Sequence, residues 1–339
     1  MKLKDIAELA KVSPSTVSLV INNRNGVSPK KREEILKLLN EYGFEVHPSK
    51  EEPAPTCNSI RFIKCKRHSM LVDGNPGFTS AIIDAVELEC RRQGYELVII
   101  TCTAENLHTI LQQIRPETSA GILLLGTELT EQDIAQLPLP CVPLVILDNA
   151  PQLSDINCIT MNNYDAIYHA VHHLVSYHHQ HIGFLANLYP SNNCLARRVA
   201  FIEALRQHNI PFDPNLVYEV HPTPDGAYQS VKELLESGTA FPSALVANND
   251  SIALGAIKAF KEFNIDVPHD ISVIGFDNIP LSSITDPPLT TMEVPCKEMG
   301  IWAVRLLCDR IRYPSSAVTK MQVSTKLLIR NSTIDLLQK

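Results

Sequence analysis

The chain has 339 residues, of which 45% are hydrophobic and 20% are charged, with 13 glycines and 23 prolines. This length predicts two or three domains, and the composition excludes disordered, collagen-like and other low-complexity classes. No apolar run approaches the roughly 18 residues of a membrane span, and charged residues interrupt the start of the chain where an export signal needs an apolar core. We therefore expect a cytoplasmic protein. Its nine cysteines form no Cys-x-x-Cys pair, which favours reduced thiols over a disulfide framework or a zinc cage.

The net charge of −7 is divided unevenly along the chain. Residues 1–50, which include an N-terminal head, hold nine Lys and Arg against six Asp and Glu, whereas the remaining residues hold 21 against 31. An acidic body repels phosphate, so any contact with nucleic acid must come through the head. The run Lys30-Lys31-Arg32 concentrates part of this charge, although such a run taken alone is more often the solvated face of a helix.

Apolar spacing and cap residues predict three short helices in the head. Apolar residues recur at helical spacing over residues 3–10. Ser13-Pro14 then starts a second helix that extends to about Asn22, because serine caps free N–H groups and proline suits the first helical position. Ser28-Pro29 repeats this signal before a third helix over Lys30–Tyr42. The third helix has the apolar residues Ile35, Leu36, Leu38 and Leu39 and ends at Gly43.

The second helix has two distinct faces. Val17, Val20 and Ile21 point to one side and must pack on the other two helices. The opposite side carries Ser15, Ser18, Leu19 and Asn22. Short polar side chains suit close approach to DNA, and two short helices joined by a tight turn place the second in the major groove. Leu19 is either a stray surface residue or a contact to a thymine methyl group, and the pattern leaves both open.

From Ser59 onward, short β-branched runs alternate with helical stretches. The runs are Ile60–Ile63, Leu97–Thr101, Gly121–Leu125, Leu144–Leu147, Ile182–Leu185, Ala244–Ala247 and Ser272–Gly275. Helices are predicted over 78–93, 105–115, 164–177, 196–208, 226–236 and 251–263. Such a series forms parallel sheets covered on both faces, and about 270 residues exceed one core. The predicted fold is a small all-α helix-turn-helix head and an α/β body of two doubly wound parallel-sheet lobes.

Polar side chains follow several of these strands, at the edge where parallel sheets bind ligands. The segments are Asp148-Asn149, Asn248-Asn249-Asp250 and Asp277-Asn278, with Asp73 and Asn75 after the first strand and Arg197 at a nearby helix start. Paired donors and acceptors suit a polyhydroxylated ligand such as a sugar, or a nucleoside. Asp and Asn are also common in turns and helix caps, which for Asn249-Asp250 explains about half of the signal.

Linked motifs along the chain resemble the LacI/GalR (lac repressor) family of bacterial transcription regulators. In the head they are Leu3-Lys4-Asp5-Ile6-Ala7, Ala10-Lys11-Val12-Ser13, Ser15-Thr16-Val17-Ser18, Ile21-Asn22, Val27-Ser28 and Arg32. In the body they are Val145-Ile146-Leu147-Asp148, Arg197-Arg198-Val199-Ala200-Phe201, Leu245-Val246-Ala247-Asn248-Asn249-Asp250, Ser272-Val273-Ile274-Gly275-Phe276-Asp277-Asn278 and Pro288-Leu289-Thr290-Thr291. The resemblance covers nearly the whole chain and implies an operator-binding repressor whose body is similar to a periplasmic sugar-binding protein.

The resemblance also implies which residues of the head contact DNA. Phosphate contacts are implied for Ser13, Thr16, Ser18, Asn22, Ser28 and Lys31, and base contacts for Pro14, Ser15 and Leu19, with Leu3 a further DNA-contacting position. Leu19 stands where the family usually has an arginine that contacts a guanine, so the operator sequence cannot be transferred. The linker is a second departure, because residues 47–58 contain three prolines and none of the leucines that such regulators insert into the minor groove. We expect an extended spacer there instead of a hinge helix.

In the body, the resemblance implies an effector site and a dimer. The implied effector-binding residues are Asp148, Arg197, Asn249 and Asp277, with Asp73, Asn75 and Phe78 at the first loop. The chain is expected to form a head over 1–46, a linker over 47–58, a body over 59–330 and a tail over 331–339. Lobe 1 would comprise about 59–160 and 291–319, and lobe 2 about 161–290 and 320–330, with crossings near Met161, Thr291 and Lys320. Protomers would pair side by side through both lobes, with the helices over 78–93 and 105–115 as interface candidates.

Three functions compete with that of a sugar-responsive repressor. No G-x-S-x-G, H-E-x-x-H, P-loop or G-x-G-x-x-G motif is present, so neither an enzyme nor a bound cofactor is expected. A metal-responsive regulator is an alternative, because His169, His172, His173, His178, His179 and His181 lie within 13 residues. A ligand-binding protein with no role on DNA is the third, since the hinge motif is missing.

Overall fold

The computed structural model describes residues 3–21, 26–42, 57–189 and 191–338. The chain divides into two compact units, residues 1–54, which contain the head, and residues 55–339, which contain the body. The predictions for Asn22, Gly43 and the linker stretch 47–56 lie outside the described residues. No helix in the described part of the chain is both long and apolar enough to cross a membrane.

The head contains the three predicted helices, α1 (Leu3–Leu9), α2 (Pro14–Ile21) and α3 (Pro29–Glu41). Their buried core is Ile6, Ala7, Ala10, Val17, Val20, Ile35 and Leu39. The Ser13 hydroxyl accepts a hydrogen bond from the Thr16 backbone N–H at 3.2 Å, as a cap of α2 should. Two details of the prediction were wrong. Ser28 makes no side-chain cap bond to α3. Leu36 is 36% exposed, because the face of α3 that meets the core carries the buried Ile35 and Leu39 and the partly buried Leu38.

The body contains two six-stranded sheets, one in each lobe. Lobe 1 has the order β11-β5-β4-β3-β1-β2, formed by β1 (Ser59–Lys66), β2 (Glu96–Thr103), β3 (Gly121–Leu125), β4 (Leu144–Leu147), β5 (Asn157–Met161) and β11 (Lys320–Val323). Lobe 2 has the order β12-β10-β9-β8-β6-β7, formed by β6 (Ile182–Asn187), β7 (Val217–Val220), β8 (Ala244–Ala247), β9 (Ser272–Asp277), β10 (Thr290–Glu293) and β12 (Lys326–Leu328). Apart from the antiparallel β10–β12 pair, the strands described pair in parallel.

Helices cover the sheets, as expected for buried parallel strands. Lobe 1 carries α4 (Pro76–Arg92), α5 (Ala104–Gln113), α6 (Glu131–Ala135) and α11 (Cys296–Arg312), and lobe 2 carries α7 (Asn163–Ser176), α8 (Asn192–Gln207), α9 (Pro224–Glu236) and α10 (Asp250–Glu262). The long helix α11 was not among the predicted helices. It begins without a side-chain cap and contains Gly300, whose missing Cβ lets α11 approach α4 closely.

The chain passes between the lobes three times. The first crossing follows Met161, where β5 ends and α7 begins. The predicted positions of the other two were wrong by a few residues. Strand β10 pairs with β9 in lobe 2, and β11 pairs with β5 in lobe 1, so these crossings follow Glu293 and Val323. The physical reason is hydrogen bonding, because each strand completes its pairing in one sheet before the chain leaves it.

Residues 331–338 are not a free tail, which corrects the predicted boundary. The Val273 N–H donates to the Ser332 carbonyl at 2.7 Å, and the Ser332 hydroxyl donates to the Val273 carbonyl at 2.6 Å. Ser332 and Thr333 are buried against lobe 2. This segment therefore belongs to the lobe 2 fold.

Candidate functional site

A cleft between the two lobes collects polar side chains from the carboxyl ends of several strands. Its lining residues are Leu71, Asn75, Phe78, Thr127, Asp148, Met161, Ser191, Asn193, Cys194, Arg197, Asn248, Asn249 and Asp277. Six of the seven residues predicted for the effector site are in this set, and Asp73 is not. The strand-end rule for parallel sheets therefore located the cleft from sequence.

The cleft is closed in this structure. Its cavity measures only about 40 Å³. Hydrogen bonds join the lobes across it, from Asn75 Nδ2 to Asp277 Oδ2 at 3.0 Å, from Asn193 Nδ2 to Asp148 Oδ1 at 2.9 Å, and from Asn192 Nδ2 to Asn149 Oδ1 at 2.8 Å. Ligand pockets are typically about 300–1,000 Å³, so a ligand of ordinary size must separate the lobes and exchange its own polar groups for these contacts.

Arg197 supplies the cationic group of the cleft. It lies on α8 and is 5% exposed. Its Nε donates to Asn163 Oδ1 at 2.9 Å and its Nη1 to the Asn248 carbonyl at 2.6 Å. The guanidinium carbon lies 3.6 Å from the centre of the Phe276 ring, and Nη2 is 3.9 Å from Asp277 Oδ1. Stacking and two fixed hydrogen bonds hold the guanidinium plane in one orientation.

Asp148 supplies a carboxylate from lobe 1. It follows β4 with a φ of 60°, a left-handed conformation that aspartate tolerates. Its side chain accepts from Thr127 Oγ1 at 2.6 Å and from Asn193 Nδ2 at 2.9 Å. Burial raises the pKa of Asp148 to about 6, because these neutral donors and the Arg197 charge only partly offset the loss of water.

Asp277 and Asp250 form a buried pair of acids in lobe 2. Burial raises the pKa of Asp277 to about 7, with Arg197 opposing the shift. Burial and the neighbouring Asp277 charge raise the pKa of Asp250 to about 8. Asp250 accepts from Thr291 Oγ1 at 2.5 Å and from the Ile279 N–H at 2.9 Å. Asp250 itself does not line the cleft, but Asp148 and Asp277 do, together with Arg197. The described lining therefore has more acid than base, which favours ligands that donate hydrogen bonds.

Two of the predicted asparagines also cap helices. Asn75 Oδ1 accepts from the Phe78 N–H at 3.2 Å and caps α4, and Asn249 Oδ1 accepts from the Ile252 N–H at 2.8 Å and caps α10. Both residues line the cleft as well. Capping and ligand contact are thus compatible at these positions, since a cap uses only one acceptor of the side-chain amide.

Asp73 lies elsewhere, which corrects its predicted place in the site. Its carboxylate is largely exposed and pairs with Lys66 Nζ at 2.6 Å and Lys64 Nζ at 3.2 Å. These lysines precede it on β1 and hold it outside the cleft. Sequence reasoning in turn missed Thr127 and Asn193, which contact Asp148. Thr127 follows β3 by two residues, so the strand-end rule applied to every strand identifies it. Asn193 lies six residues after β6, in the first turn of α8, and the rule does not identify it.

The histidine cluster holds the end of the chain against lobe 2. His173 Nε2 lies 3.1 Å from Thr333 Oγ1, His178 Nδ1 lies 2.8 Å from Asp335 Oδ1, and His179 Nε2 lies 3.2 Å from the Ile334 carbonyl oxygen. Burial lowers the pKa of His173 to about 4. Among the described residues, no three His, Cys, Asp or Glu side chains are arranged to hold a metal ion. These contacts give His173, His178 and His179 a packing role.

In the head, α2 presents a polar surface. Ser15 and Ser18 are exposed, and Leu19 is half-buried beside Gly26. The hydroxyl oxygens of Ser13 and Ser15 lie 2.6 Å apart, so both sit at the start of the helix. On α3, Lys31 Nζ forms an ion pair with Glu34 at 2.9 Å. Leu3 is exposed at the start of α1.

Comparisons with known proteins match this two-part architecture. Residues 2–47 match the model for bacterial regulatory proteins of the lacI family, and residues 171–333 match a periplasmic binding protein-like domain. The chain is 30% identical over 334 residues to the HTH-type transcriptional repressor PurR of Pasteurella multocida strain Pm70, covering 97% of this chain and 98% of that protein. It is 33% identical over 317 residues to PurR of Aliivibrio salmonicida strain LFI1238, covering 91% and 92%.

A solved structure agrees with these relatives. The lac repressor dimer bound to operator and the anti-inducer ONPF superposes with a TM-score of 0.73 at 26% identity, covering 98% of this chain and 99% of that chain. These relatives are repressors, and each matches this chain over nearly its whole length. The matches therefore favour a repressor over an enzyme and over a ligand-binding protein with no role on DNA. The capped three-helix head, the two-lobed body and these matches together place the chain in the lacI family of DNA-binding bacterial transcription regulators.

Proposed function

We propose that the chain represses transcription as a homodimer on a roughly palindromic operator, and that a sugar or sugar derivative in the interlobe cleft sets its operator affinity. The observation that carries the effector proposal is the convergence of Asp148, Asp277 and the fixed Arg197 guanidinium in one closed cleft. Because the two acids come from opposite lobes, a ligand that bonds to both must alter how the lobes close. Such coupling between effector and operator is typically about 1–3 kcal/mol.

The chemistry of the cleft favours a sugar over a nucleoside. Carboxylates accept from vicinal hydroxyl groups, and the guanidinium and the amides supply donors to the ring and hydroxyl oxygens. A flat base is usually held between aromatic faces. Phe78 is the aromatic residue among the described lining residues, and the Phe276 face is covered by Arg197.

We assign the DNA contacts to α2 and its flanks. Ser15 and Leu19 would contact bases, with Pro14 beside them. The phosphate contacts would be made by Ser13, Thr16, Ser18, Asn22, Ser28 and Lys31. Leu3, on α1, would add a contact at the edge of the DNA interface. A serine at the exposed helix start suits close approach to a groove, and the half-buried Leu19 suits a methyl contact better than a hydrogen bond. Lys31 would exchange its ion pair with Glu34 for a phosphate.

Exposed apolar residues on lobe 1 support the dimer. Strand β2 is an edge strand of its sheet, and Val98 and Ile99 on it are 39% and 50% exposed. Leu88 on α4, one of the two predicted interface helices, is 40% exposed. An apolar surface beside an unpaired strand edge favours association with a second protomer. A dimer presents two heads, which makes the operator roughly palindromic, and we place its action in the cytoplasm.

Selection of bound sequences from a random duplex pool tests the DNA part of the proposal. We expect the full chain to enrich a palindrome, and Ser15→Ala and Leu19→Ala to change the preferred sequence. Lys31→Ala should weaken binding to all sequences and reduce the salt slope by about one. Glu34→Ala is the matched variant, since it frees Lys31 and should leave the slope unchanged. Enrichment of no sequence at low salt would contradict operator binding.

Calorimetry on the same protein tests the effector. A panel of monosaccharides, disaccharides, amino sugars and sugar phosphates is compared with a panel of nucleobases and nucleosides. We expect a hit in the sugar panel that also changes operator affinity. A hit confined to the nucleobase panel would overturn the sugar proposal and keep the regulator.

A further inference from the structure

The loop between β1 and α4 is tied to a single buried carboxylate, that of Glu128. Glu128 lies after β3 and is 1% exposed. Its Oε2 accepts from the backbone N–H groups of Arg67 at 2.6 Å, His68 at 2.8 Å and Ser69 at 3.0 Å, and its Oε1 from those of Leu71 at 2.8 Å and Val72 at 3.0 Å. One side chain thus satisfies five donors of residues 67–72, which we call the rim loop.

This carboxylate stays ionised at neutral pH. Burial by itself would raise the pKa of Glu128, but the backbone N–H groups of the rim loop outweigh burial and its pKa is lowered. Hydrogen bonds to an ionised acceptor are about twice as strong as neutral ones. The charge of Glu128 therefore fixes the backbone conformation of the rim loop, in which Ser69 has a φ of 61°.

The rim loop contributes to the cleft in two ways. Leu71 lines the cavity directly. The ring of His68 lies 5.0 Å from the ring of Tyr189, which belongs to lobe 2, and Tyr189 in turn meets the edge of His221 at 5.6 Å. The rim loop of lobe 1 thus reaches lobe 2 through a ring contact as well as lining the cavity.

Glu128 is also next to the ligand-facing residues. Its neighbour Thr127 donates to Asp148 at 2.6 Å. The short segment after β3 therefore orients a carboxylate of the cleft and, one residue later, the rim loop. Asn75, the cap of α4 that bonds to Asp277, follows the rim loop by three residues.

We propose that Glu128 is a positioning residue for effector binding, which holds the rim loop so that Leu71 lines the cleft and His68 meets Tyr189 when the lobes close. This inference rests on the proposed function, because it assumes that the cleft binds the effector. Glu128 does not line the cavity, so it acts through the rim loop and not by contact with the ligand.

The test compares Glu128→Gln with Glu89→Gln in the full chain. Glutamine keeps the size of Glu128 but removes its charge and turns an NH₂ group toward some of the backbone donors. Glu89 is the matched control, since it is also in lobe 1 and 1% exposed, yet it bonds to Arg305 and Gln93 away from the cleft. Hydrogen exchange by mass spectrometry, without ligand, follows a peptide that covers the rim loop.

We expect exchange of the rim loop to be at least about tenfold faster in Glu128→Gln and unchanged in Glu89→Gln. The dissociation constant for the sugar should rise about tenfold in Glu128→Gln alone, and operator affinity without the sugar should be unchanged. Glu128→Asp, which keeps the charge on a shorter side chain, should recover part of the protection and part of the affinity.

Unchanged exchange or unchanged sugar affinity in Glu128→Gln would overturn the inference. Equal loss of protection throughout lobe 1 in both variants would do so too, since Glu128 would then be only a stabilising residue. If Glu128→Gln does not fold, His68→Ala removes an exposed ring of the same loop and should raise the sugar dissociation constant, and no change would contradict the positioning role. If the unmodified chain binds no sugar, the proposed function fails, while the exchange comparison still decides whether Glu128 orders the rim loop.

Discussion

Single residues of the cleft show how charge and burial are balanced. Arg197 is held by Asn163, the Asn248 carbonyl and the Phe276 ring, whereas its nearest approach to Asp277 is 3.9 Å. The guanidinium is therefore fixed mainly by neutral partners, which leaves its charge available to a ligand. For the acids, hydrogen bonds and the Arg197 charge do not offset the loss of water, so burial raises the pKa of both Asp148 and Asp277.

Arg197→Ala should abolish the response to effector and leave operator binding unchanged. The variant removes a fixed charged donor from the cleft, and hydrogen bonds to charged groups contribute about 1.5–3 kcal/mol each, so sugar affinity should fall roughly a hundredfold or more. Calorimetry and operator titration measure the two effects. Asp73→Ala is the control, because Asp73 faces its lysines outside the cleft. Loss of operator binding in Arg197→Ala would show that the residue is structural.

The pH dependence of stability provides a test of the buried acid Asp250. Its pKa is raised from 3.8 to about 8, so between these values the folded state binds more protons than the unfolded state. Its contribution to the free energy of unfolding should then decrease as pH rises, by up to about 1.4 kcal/mol per pH unit, and level off above pH 8. Asp250→Asn imitates the protonated acid toward Thr291 and should lose this part of the slope.

Denaturant unfolding of the two proteins at pH 6, 7 and 8 measures that slope. Asp73→Asn is the control, because pairing with Lys66 lowers the pKa of Asp73 and its contribution does not change over this pH range. Equal slopes in the unmodified chain and Asp250→Asn would show that Asp250 is ionised throughout.

Packing between secondary-structure elements depends on glycines at two helix contacts. Gly255 on α10 faces α9, and Gly300 on α11 faces α4. A Cβ at Gly255 would lie 2.6 Å from Ala227 Cβ and 2.8 Å from the Tyr228 nitrogen, closer than real contacts allow. These two helices are thus pressed together at backbone distance, which only glycine permits.

Gly255→Ala should destabilise the body by about 1–3 kcal/mol, because the added methyl group forces α9 and α10 apart. The free energy of unfolding by urea measures the effect. Lys261→Ala, on the exposed side of the same helix, should change it by less than about 0.5 kcal/mol. If Gly255→Ala left the free energy of unfolding unchanged or raised it, α9 would have to shift without cost. The higher helix propensity of alanine would then outweigh the added contact.

At the scale of the whole molecule, the proposed function requires coupling between the lobes and between two protomers. The cleft closes through amide-to-acid hydrogen bonds between the lobes, and the edge strand β2 carries apolar side chains on the outside of lobe 1. In our proposal, a ligand in the cleft changes the hydrogen bonds between the lobes. The apolar surface at the edge strand β2 then transmits that change to a partner protomer, and so to the spacing of the two heads.

Ile99→Glu should convert the dimer to a monomer, because a charge would be buried at the proposed interface without a partner. Light scattering after size-exclusion chromatography measures the mass. Operator affinity should fall by at least about a hundredfold with the loss of the second head. Leu153→Glu is the control, since Leu153 is 87% exposed and lies outside the proposed interface. The Leu153→Glu protein should remain dimeric. A dimeric Ile99→Glu protein would move the interface elsewhere.

Local patterns were sufficient for the elements and for part of the site. The alternation of apolar runs and helical stretches correctly predicted β1–β4, β6, β8 and β9, together with α4, α5 and α7–α10. Ser13 with Pro14 correctly predicted the start of α2. Asp148 and Asp277 were identified because they follow strands. Arg197 was predicted at a helix start, but α8 begins five residues earlier, at Asn192. Asp73 was misplaced by the same rule, because the rule locates a sheet edge and not the direction of a loop residue.

What the amino-acid sequence determined by itself was the general architecture: a basic capped head, a βαβ body with seven of the twelve strands described, and polar strand ends that meet at a cleft. These follow from spacing and composition, which are local properties. The tertiary structure alone decided which sheet receives β10 and β11, that residues 331–338 pack on lobe 2, and that Glu128 bonds to amides 56–61 positions earlier. Those outcomes depend on hydrogen-bond donors and acceptors distant in the chain, and no local pattern specifies how they pair.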